Sequence, residues 1–194
     1  MDVAQEAVLA KGFEATSIDE IVADAGITRS GFFYHFKDKS ALAREMIDRY
    51  ADTSIAEIDA MVARARELTE DPLHVLLITL KLIAEDMRSA PNGHPGCVVA
   101  TAAFHDRLIG PEIREANRRA VLRWQEQFRV LLDDIAKQYR TNDEVDFDRF
   151  ADFLSGAVAG GIIMSRAHGD TTVTAEYVLL ARSHVKLLFQ PKLQ

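Results

Sequence analysis

Basic and hydroxyl side chains are concentrated between residues 28 and 39, in the segment TRSGFFYHFKDK. Arg29, Lys37 and Lys39 stand there against a single acid, Asp38, although the whole chain has a net charge of −7. An arginine can donate two hydrogen bonds to O6 and N7 of guanine, and lysine and hydroxyl groups bind phosphate oxygens. Attraction to phosphate is screened over roughly 10 Å at moderate salt, so a local basic patch can act on an acidic protein. The segment therefore predicts a nucleic-acid contact.

Two short helices joined by a glycine-containing turn are expected to position this segment. Ser17 and Glu20 have the Ser-x-x-Glu spacing of a capping box, which predicts the start of the first helix. Gly26 ends that helix, and Thr28 is a favourable N-cap for a second helix that ends near Phe36. This arrangement is a helix-turn-helix, whose second helix enters the DNA major groove.

Helical periodicity continues through the rest of the chain, and no strand pattern is found. We expect an all-α fold of about nine helices. A three-helix helix-turn-helix DNA-binding domain is expected at residues 1–47, and a larger helical domain at residues 48–194. The helix at 73–87 is apolar nearly all round and is expected to be buried on most sides. Later helices are expected at 97–109 and 112–140.

The composition is that of a globular protein with a sizeable core, with 48% hydrophobic and 27% charged residues. No apolar run reaches the ~18 residues of a membrane span, and the N-terminus lacks the basic start of a secretory signal. Cys97 is the single cysteine, which rules out an internal disulfide and fits the cytoplasm. We expect a cytoplasmic location and no membrane partner.

An extended motif runs through the N-terminal segment. Its stretches are Gly12-Phe13, Ala15-Thr16-Ser17, Ile18-Asp19-Glu20-Ile21-Val22, Ala25-Gly26-Ile27-Thr28, Phe33-Tyr34-His35-Phe36 and Lys39. With this motif, residues 1 to about 47 resemble the DNA-binding domain of the TetR family of bacterial repressors. The resemblance implies contacts in the DNA groove from Thr28, Arg29, Ser30, Gly31 and Tyr34. It implies contacts to phosphates from Ser17, Phe33, His35 and Lys39.

One position departs from the family pattern, because the family usually has tyrosine where this chain has Phe33. The missing hydroxyl leaves at most an apolar contact, such as one to a thymine methyl. The first helix also begins without the basic arm that many members carry. Two explanations remain open: the natural chain is longer than this sequence, or the arm is absent. A competing interpretation of residues 28–39 is a small aromatic corner of the core with a charged rim.

The resemblance implies that the second domain binds a small-molecule effector and forms a homodimer. From the residues, we expect an apolar pocket with a few polar groups between its helices. The candidate pocket residues are Met87, Thr101, Phe104, His105, Trp124 and Phe128. The alternative for each of them is ordinary helical core, since aromatic residues at helical spacing usually pack there.

Small and apolar residues in the last two helices predict an isologous dimer interface. The candidate interface residues are Phe153, Gly156, Gly160, Ile163, Val178 and Val185. The alternative is packing within one subunit.

Cys97 follows His94-Pro95-Gly96 and is expected at a helix start, a position that can lower the pKa of a thiol. Two roles remain open for it. One is a thiol that senses oxidants or electrophiles, and the other is a small buried apolar residue, the usual environment of a free cysteine.

Together these features predict a ligand-responsive transcription regulator that binds double-stranded, palindromic operator DNA as a homodimer. Release by a small, largely apolar effector is the commoner arrangement in similar proteins and predicts a repressor. The alternatives are a helical ligand-binding protein with degenerate DNA-binding function and a helical enzyme. The sequence contains no catalytic motif that would favour the enzyme, and we expect no cofactor and no metal site.

Overall fold

The computed structural model describes residues 1–90, 93–105 and 109–191, and the chain there is almost entirely helical. The expected all-α fold is confirmed. The helices are α1 (Asp2–Ala15), α2 (Ile18–Asp24), α3 (Arg29–His35), α4 (Lys39–Leu68), α5 (Pro72–Ser89), α6 (Val98–Phe104), α7 (Pro111–Gln138), α8 (Phe147–His168) and α9 (Val173–Leu188).

Helix α1 continues three residues beyond Gly12, although a glycine is a common end of a helix. Gly12 has a positive φ of 87° and kinks the helix, and the Thr16 hydroxyl donates to its carbonyl at 2.9 Å. Helix α6 ends at Phe104, short of the predicted Ile109, and residues 106–108 lie outside the described part of the chain.

A two-stranded antiparallel sheet corrects the expectation of no strands. Strand β1 (Tyr139–Thr141) pairs with β2 (Phe189–Pro191), with Tyr139 opposite Pro191. Because β1 begins at Tyr139, α7 ends two residues before the predicted Arg140. Three-residue strands are too short to show alternation in sequence, and their pairing joins the ends of two distant helices.

The chain folds into two compact units. The first unit comprises Met1–Thr53 and Pro95–Leu122, and the second comprises Ser54–His94 and Arg123–Gln194. Helices α4 and α7, with 30 and 28 residues, contribute to both units. The tertiary contacts therefore add residues 95–122 to the unit that contains the predicted DNA-binding segment.

The core of the second unit forms around α5, as its apolar sequence predicted. Leu76 and Leu80 of α5 are buried with Leu132 of α7, Leu154 of α8 and Val178 of α9. The first unit has its own buried side chains, among them Phe13, Phe32, Met46, Ile47 and Val98. Within the described ranges, none of the helices is both long and apolar enough to cross a bilayer.

Candidate nucleic-acid interface

Hydrogen bonds local to the chain fix the start of α2 and of α3. Ser17 Oγ accepts from the backbone N–H of Glu20 at 3.2 Å, and Thr28 Oγ1 accepts from that of Gly31 at 3.0 Å. Gly26 follows α2 in the left-handed conformation with a φ of 65°, and the Ile27 N–H donates to the carbonyl of Val22 at 3.1 Å. These contacts confirm the predicted caps and the glycine-containing turn.

Helix α3 is held by one aromatic side chain on its inner face. Phe32 is buried, and its ring centre lies 5.3 Å from that of Phe33 and 5.5 Å from that of Phe36. Ile27 is also apolar, yet it is 46% exposed. Ile27 precedes the helix, in the turn, so helical spacing does not govern the direction of its side chain.

The opposite face of α3 is open to solvent. Tyr34 is 85% exposed, and Thr28, Arg29, Ser30 and His35 are also exposed. Phe33 is partly exposed, and Gly31 is half-buried. Polar groups at the helix start and an aromatic hydroxyl therefore share an accessible surface, so the interpretation as a closed aromatic core corner does not apply to this face.

Arg29 takes part in an interaction that sequence reasoning missed. Its Nη1 donates to Oδ1 of Asp19 at 2.6 Å, and its Cζ lies 5.8 Å from the centre of the Phe33 ring. Both charged side chains remain mostly exposed. The sequence does show an acid in the first turn of α2, Asp19, but it does not show its partner. Ten residues separate Asp19 from Arg29, and the packing of α2 against α3 brings them together.

Two lysines near the interface are partly engaged by the protein. Lys39 begins α4, and its Nζ donates to the carbonyl of Glu14 at 3.3 Å. An ammonium group has three donors, so this contact leaves capacity for a phosphate oxygen. Lys11 forms an ion pair with Glu20. The Lys11 ammonium is the main cause of a lowered pKa at Glu20, with a smaller contribution from the Ser17 backbone N–H.

The six predicted effector-pocket residues are divided between the two units. Thr101, Phe104 and His105 belong to the first unit, and Met87, Trp124 and Phe128 belong to the second. Phe104 is 71% exposed, whereas Phe128 is buried in the core cluster, with Met87 packed against that cluster.

Polar contacts hold three of these residues. The Trp124 indole N–H donates to Ser54 Oγ at 2.9 Å, and the Thr101 hydroxyl donates to the carbonyl of Cys97 at 3.0 Å. His105 Nδ1 lies 2.8 Å from the carbonyl oxygen of Thr101.

A surface cleft of about 370 Å³ lies elsewhere in the second unit. None of the six predicted residues lines it; its walls are Arg66, Thr69, Glu70, Pro72, Val75, Leu131, Asp134, Lys137 and Gln138. Lys137 pairs with Asp134 at 2.7 Å, and Arg66 lies 3.6 Å from the same carboxylate. The cleft thus combines charged side chains with apolar ones.

Cys97 occupies the predicted helix start, where its Sγ accepts from the Ala100 N–H at 3.4 Å. The position at the helix start does not lower the pKa of the thiol overall. Burial raises the pKa of the Cys97 thiol, and hydrogen bonds from Ala100 and Tyr50 offset the effect only in part. The buried, apolar interpretation of this residue therefore has the physical support.

The apolar surface of α8 and α9 differs from the predicted dimer interface. Val178 and Val185 are buried in the core cluster of the second unit, so they cannot present side chains to a partner. Phe153 and Ile163 are exposed, as residues of an interface with a partner would have to be in a single subunit. Sequence reasoning missed three exposed residues of α9 at helical spacing, namely Tyr177, Leu180 and Leu187.

The glycines of α8 have two distinct environments. A Cβ at Gly161 would lie 2.8 Å from Cα of Thr174, so this glycine permits the approach of α9 within the chain. Among the described residues, a Cβ at Gly156 would have no atom within 4 Å, and one at Gly160 would only touch the Tyr177 ring at 4.0 Å. Gly156 and Gly160 therefore leave room on the outer face of α8.

Comparisons with known proteins identify relatives of both parts of the chain. The family described as "Bacterial regulatory proteins, tetR family" matches residues 1–46, and "Tetracyclin repressor-like, C-terminal domain" matches residues 79–179. The HTH-type transcriptional regulator AcrR of Shigella flexneri is 36% identical over 76 residues, which span 39% of this chain. The match covers 34% of that relative, so the chain spans about a third of its length.

Longer matches extend over most of the chain. The HTH-type transcriptional regulator TtgR of Pseudomonas putida is 26% identical over 169 residues, or 82% of this chain and 75% of the relative. The crystal structure of a TetR transcriptional regulator from Chloroflexus aurantiacus superposes with a TM-score of 0.76. It is 24% identical and covers 98% of this chain and 94% of its own, and this likeness is one of fold.

Proposed function

Since the chain belongs to the TetR family of bacterial regulatory proteins, we propose that it is a ligand-responsive repressor of transcription in the cytoplasm. It binds a near-palindromic operator as a homodimer, and a small, largely apolar effector releases it. Residues 1–47 form the DNA-binding domain in this proposal, and residues 48–194 provide effector binding and dimerisation.

The open face of α3 is the observation that carries the proposal. Its N-terminal residues can enter a major groove, because the small side chain of Ser30 and the glycine at 31 allow a close approach. The groove contacts come from Thr28, Arg29, Ser30, Gly31 and Tyr34. Ser17, His35 and Lys39 bind phosphates.

The dimer forms through the exposed apolar face of α8 and α9. We define this dimer face by Phe153, Gly156, Gly160, Ile163, Tyr177, Leu180 and Leu187. An isologous interface brings the same face of each subunit together, so each residue of the face is buried once in each subunit. Two recognition helices then meet half-sites about one helical turn apart, or a multiple of it, which makes the operator palindromic.

The effector binds in the second unit, near Met87, Trp124 and Phe128, where α5 and α7 contribute to an apolar core. A ligand inserted there must shift its neighbours, because packed cores rearrange in discrete steps.

A gel-shift titration tests the proposal against its alternatives. The probe is the DNA upstream of the protein's own gene, and the salt concentration is varied. A regulator gives sequence-specific binding whose affinity falls steeply with salt, because bound phosphates release counterions. Weak binding without sequence preference would favour the helical ligand-binding protein with degenerate DNA-binding function and would refute the regulator.

A further inference from the structure

The exposed pair of Asp19 and Arg29 lies in the middle of the candidate interface. Its residues come from the first turn of α2 and the first position of α3, and the hydrogen bond measures 2.6 Å. An acid beside the one arginine of a DNA-reading helix opposes the general attraction to phosphate. We propose that Asp19 is a positioning residue that sets the orientation in which Arg29 meets a base, with Phe33 as the support below it.

The atoms used in the pair permit both contacts at once. The hydrogen bond to Asp19 uses Nη1 of Arg29, so the edge formed by Nε and Nη2 can still make two parallel hydrogen bonds. Arg118 makes such a contact in this protein, since its Nε and Nη2 donate to the two carboxylate oxygens of Glu115 at 2.9 Å each. O6 and N7 of guanine accept from the same kind of edge.

Phe33 limits the remaining freedom of the guanidinium. Cζ of Arg29 lies 5.8 Å from the centre of the Phe33 ring, a distance at which a cation is attracted to an aromatic face. The guanidinium lies over the Phe33 ring, and the Asp19 carboxylate binds Nη1 of Arg29. A side chain ordered before binding loses less freedom on binding, so more of the contact energy appears as discrimination. This gives Phe33 a role that needs no tyrosine hydroxyl.

The inference rests on the proposed function, because it concerns how the α3 surface reads DNA. The experiment starts by selecting preferred sequences from random duplex DNA with the wild-type protein. Affinity is then measured for the selected operator, for each single-base variant and for unrelated DNA. A bidentate arginine contact discriminates against the wrong base by roughly 5- to 150-fold, so the base pair read by Arg29 is found with Arg29→Ala.

Asp19→Ala is expected to reduce discrimination at that base pair by about fivefold or more per half-site, towards the level of Arg29→Ala. Affinity for unrelated DNA should hold or rise, since a negative charge is removed. Asp19→Asn keeps a carbonyl acceptor of the same size and should lie between Asp19→Ala and wild type. Added to Arg29→Ala, the Asp19→Ala substitution should change nothing further at this base pair.

Asp24→Ala is the matched control, because Asp24 is an exposed acid of the same helix. It should leave discrimination at the base pair intact, whatever it does to affinity for unrelated DNA. Full discrimination in Asp19→Ala would overturn the inference and make Asp19 only a competitor for Arg29. An equal loss of discrimination in Asp24→Ala, or a further loss from Asp19→Ala in the Arg29→Ala background, would overturn it as well.

A measurement without DNA separates this inference from the proposed function. If the wild type selects no sequence, the regulator proposal fails, but the pair can still be followed by ¹⁵N NMR of the Arg29 guanidinium. Ordering by Asp19 predicts a resolved, slowly exchanging Arg29 Nη1–H signal, since Nη1 makes the hydrogen bond, that weakens in Asp19→Ala and in Phe33→Ala and persists in Asp24→Ala. The same signal in all four proteins would refute the positioning role directly.

Discussion

Leu180→Asp is predicted to separate the dimer without unfolding the subunit. Leu180 is 67% exposed on the outer side of α9 and belongs to the proposed dimer face. Full burial of a leucine side chain contributes about 1.5–3 kcal/mol, so covering this exposed fraction contributes roughly 1–2 kcal/mol per copy. An isologous dimer buries two copies, which gives roughly 2–4 kcal/mol before the cost of placing a carboxylate in an apolar contact.

This loss corresponds to a dimer dissociation constant roughly 30- to 700-fold higher, at 1.4 kcal/mol for each factor of ten. Sedimentation equilibrium over nanomolar to micromolar concentrations measures the change. Operator affinity should fall in parallel, because a monomer can bind only one half-site. Chemical unfolding of the variant, compared with wild type at concentrations where both are monomeric, should show nearly equal stability of the subunit.

Leu68→Asp provides a matched control for the substitution. Leu68 is the last residue of α4, lies in the same compact unit and is also 67% exposed, but it is not part of the dimer face. Its replacement should leave the dissociation constant unchanged. A Leu180→Asp protein that dimerises like wild type, or an equal effect of Leu68→Asp, would refute the assignment of the dimer to this face.

Five further predictions concern two DNA contacts, the thiol, the switch and the core. Arg29→Ala should weaken operator binding by about 1–3 kcal/mol per half-site and relax the preference at one base pair; an equal loss for every sequence would show a phosphate contact instead. Lys39→Ala should weaken binding to all sequences, and the slope of log affinity against log salt concentration should become shallower by about one unit per contact. An unchanged slope would remove Lys39 from the interface. Burial raises the pKa of the Cys97 thiol, so the reactive thiolate is scarce near neutral pH. Alkylation of Cys97 at pH 8 should therefore be much slower in the native protein than in urea, and equal rates would contradict the buried position. If an effector lowers the affinity of the protein for operator, operator must lower the affinity for the effector by the same factor, typically 5–150-fold. Calorimetric titration of the effector with and without operator measures this factor, and unequal factors would contradict the linkage. Phe128→Ala should cost about 3–5 kcal/mol of unfolding free energy, because the side chain is 1% exposed, and a urea midpoint near wild type would contradict its place in the core.

Much of the helix-turn-helix could be predicted because its determinants are local. The caps at Ser17 and Thr28 each join a side chain to a backbone N–H three residues later, and Gly26 supplies the positive φ of the turn. Such contacts depend on a few neighbouring residues, so they can be recognised in the sequence. The apolar sequence of α5 likewise predicted its burial, because a helix without a polar face has no side to present to water.

The arrangement of side chains between elements was decided only by the tertiary structure. Both Val178 and Leu180 are apolar residues of α9, yet the first is buried and the second is exposed, because packing against α5 and α8 selects one side of the helix. Pairing of Arg29 with Asp19 depends on the angle between α2 and α3, and pairing of β1 with β2 depends on where α7 and α9 end. The sequence by itself determined which segments are helical and where α3 begins, since propensity, caps and periodicity act over a few residues. Which of two apolar faces of α9 stays exposed, and which acid pairs with Arg29, required the packed structure, because those choices join residues that are distant in the chain.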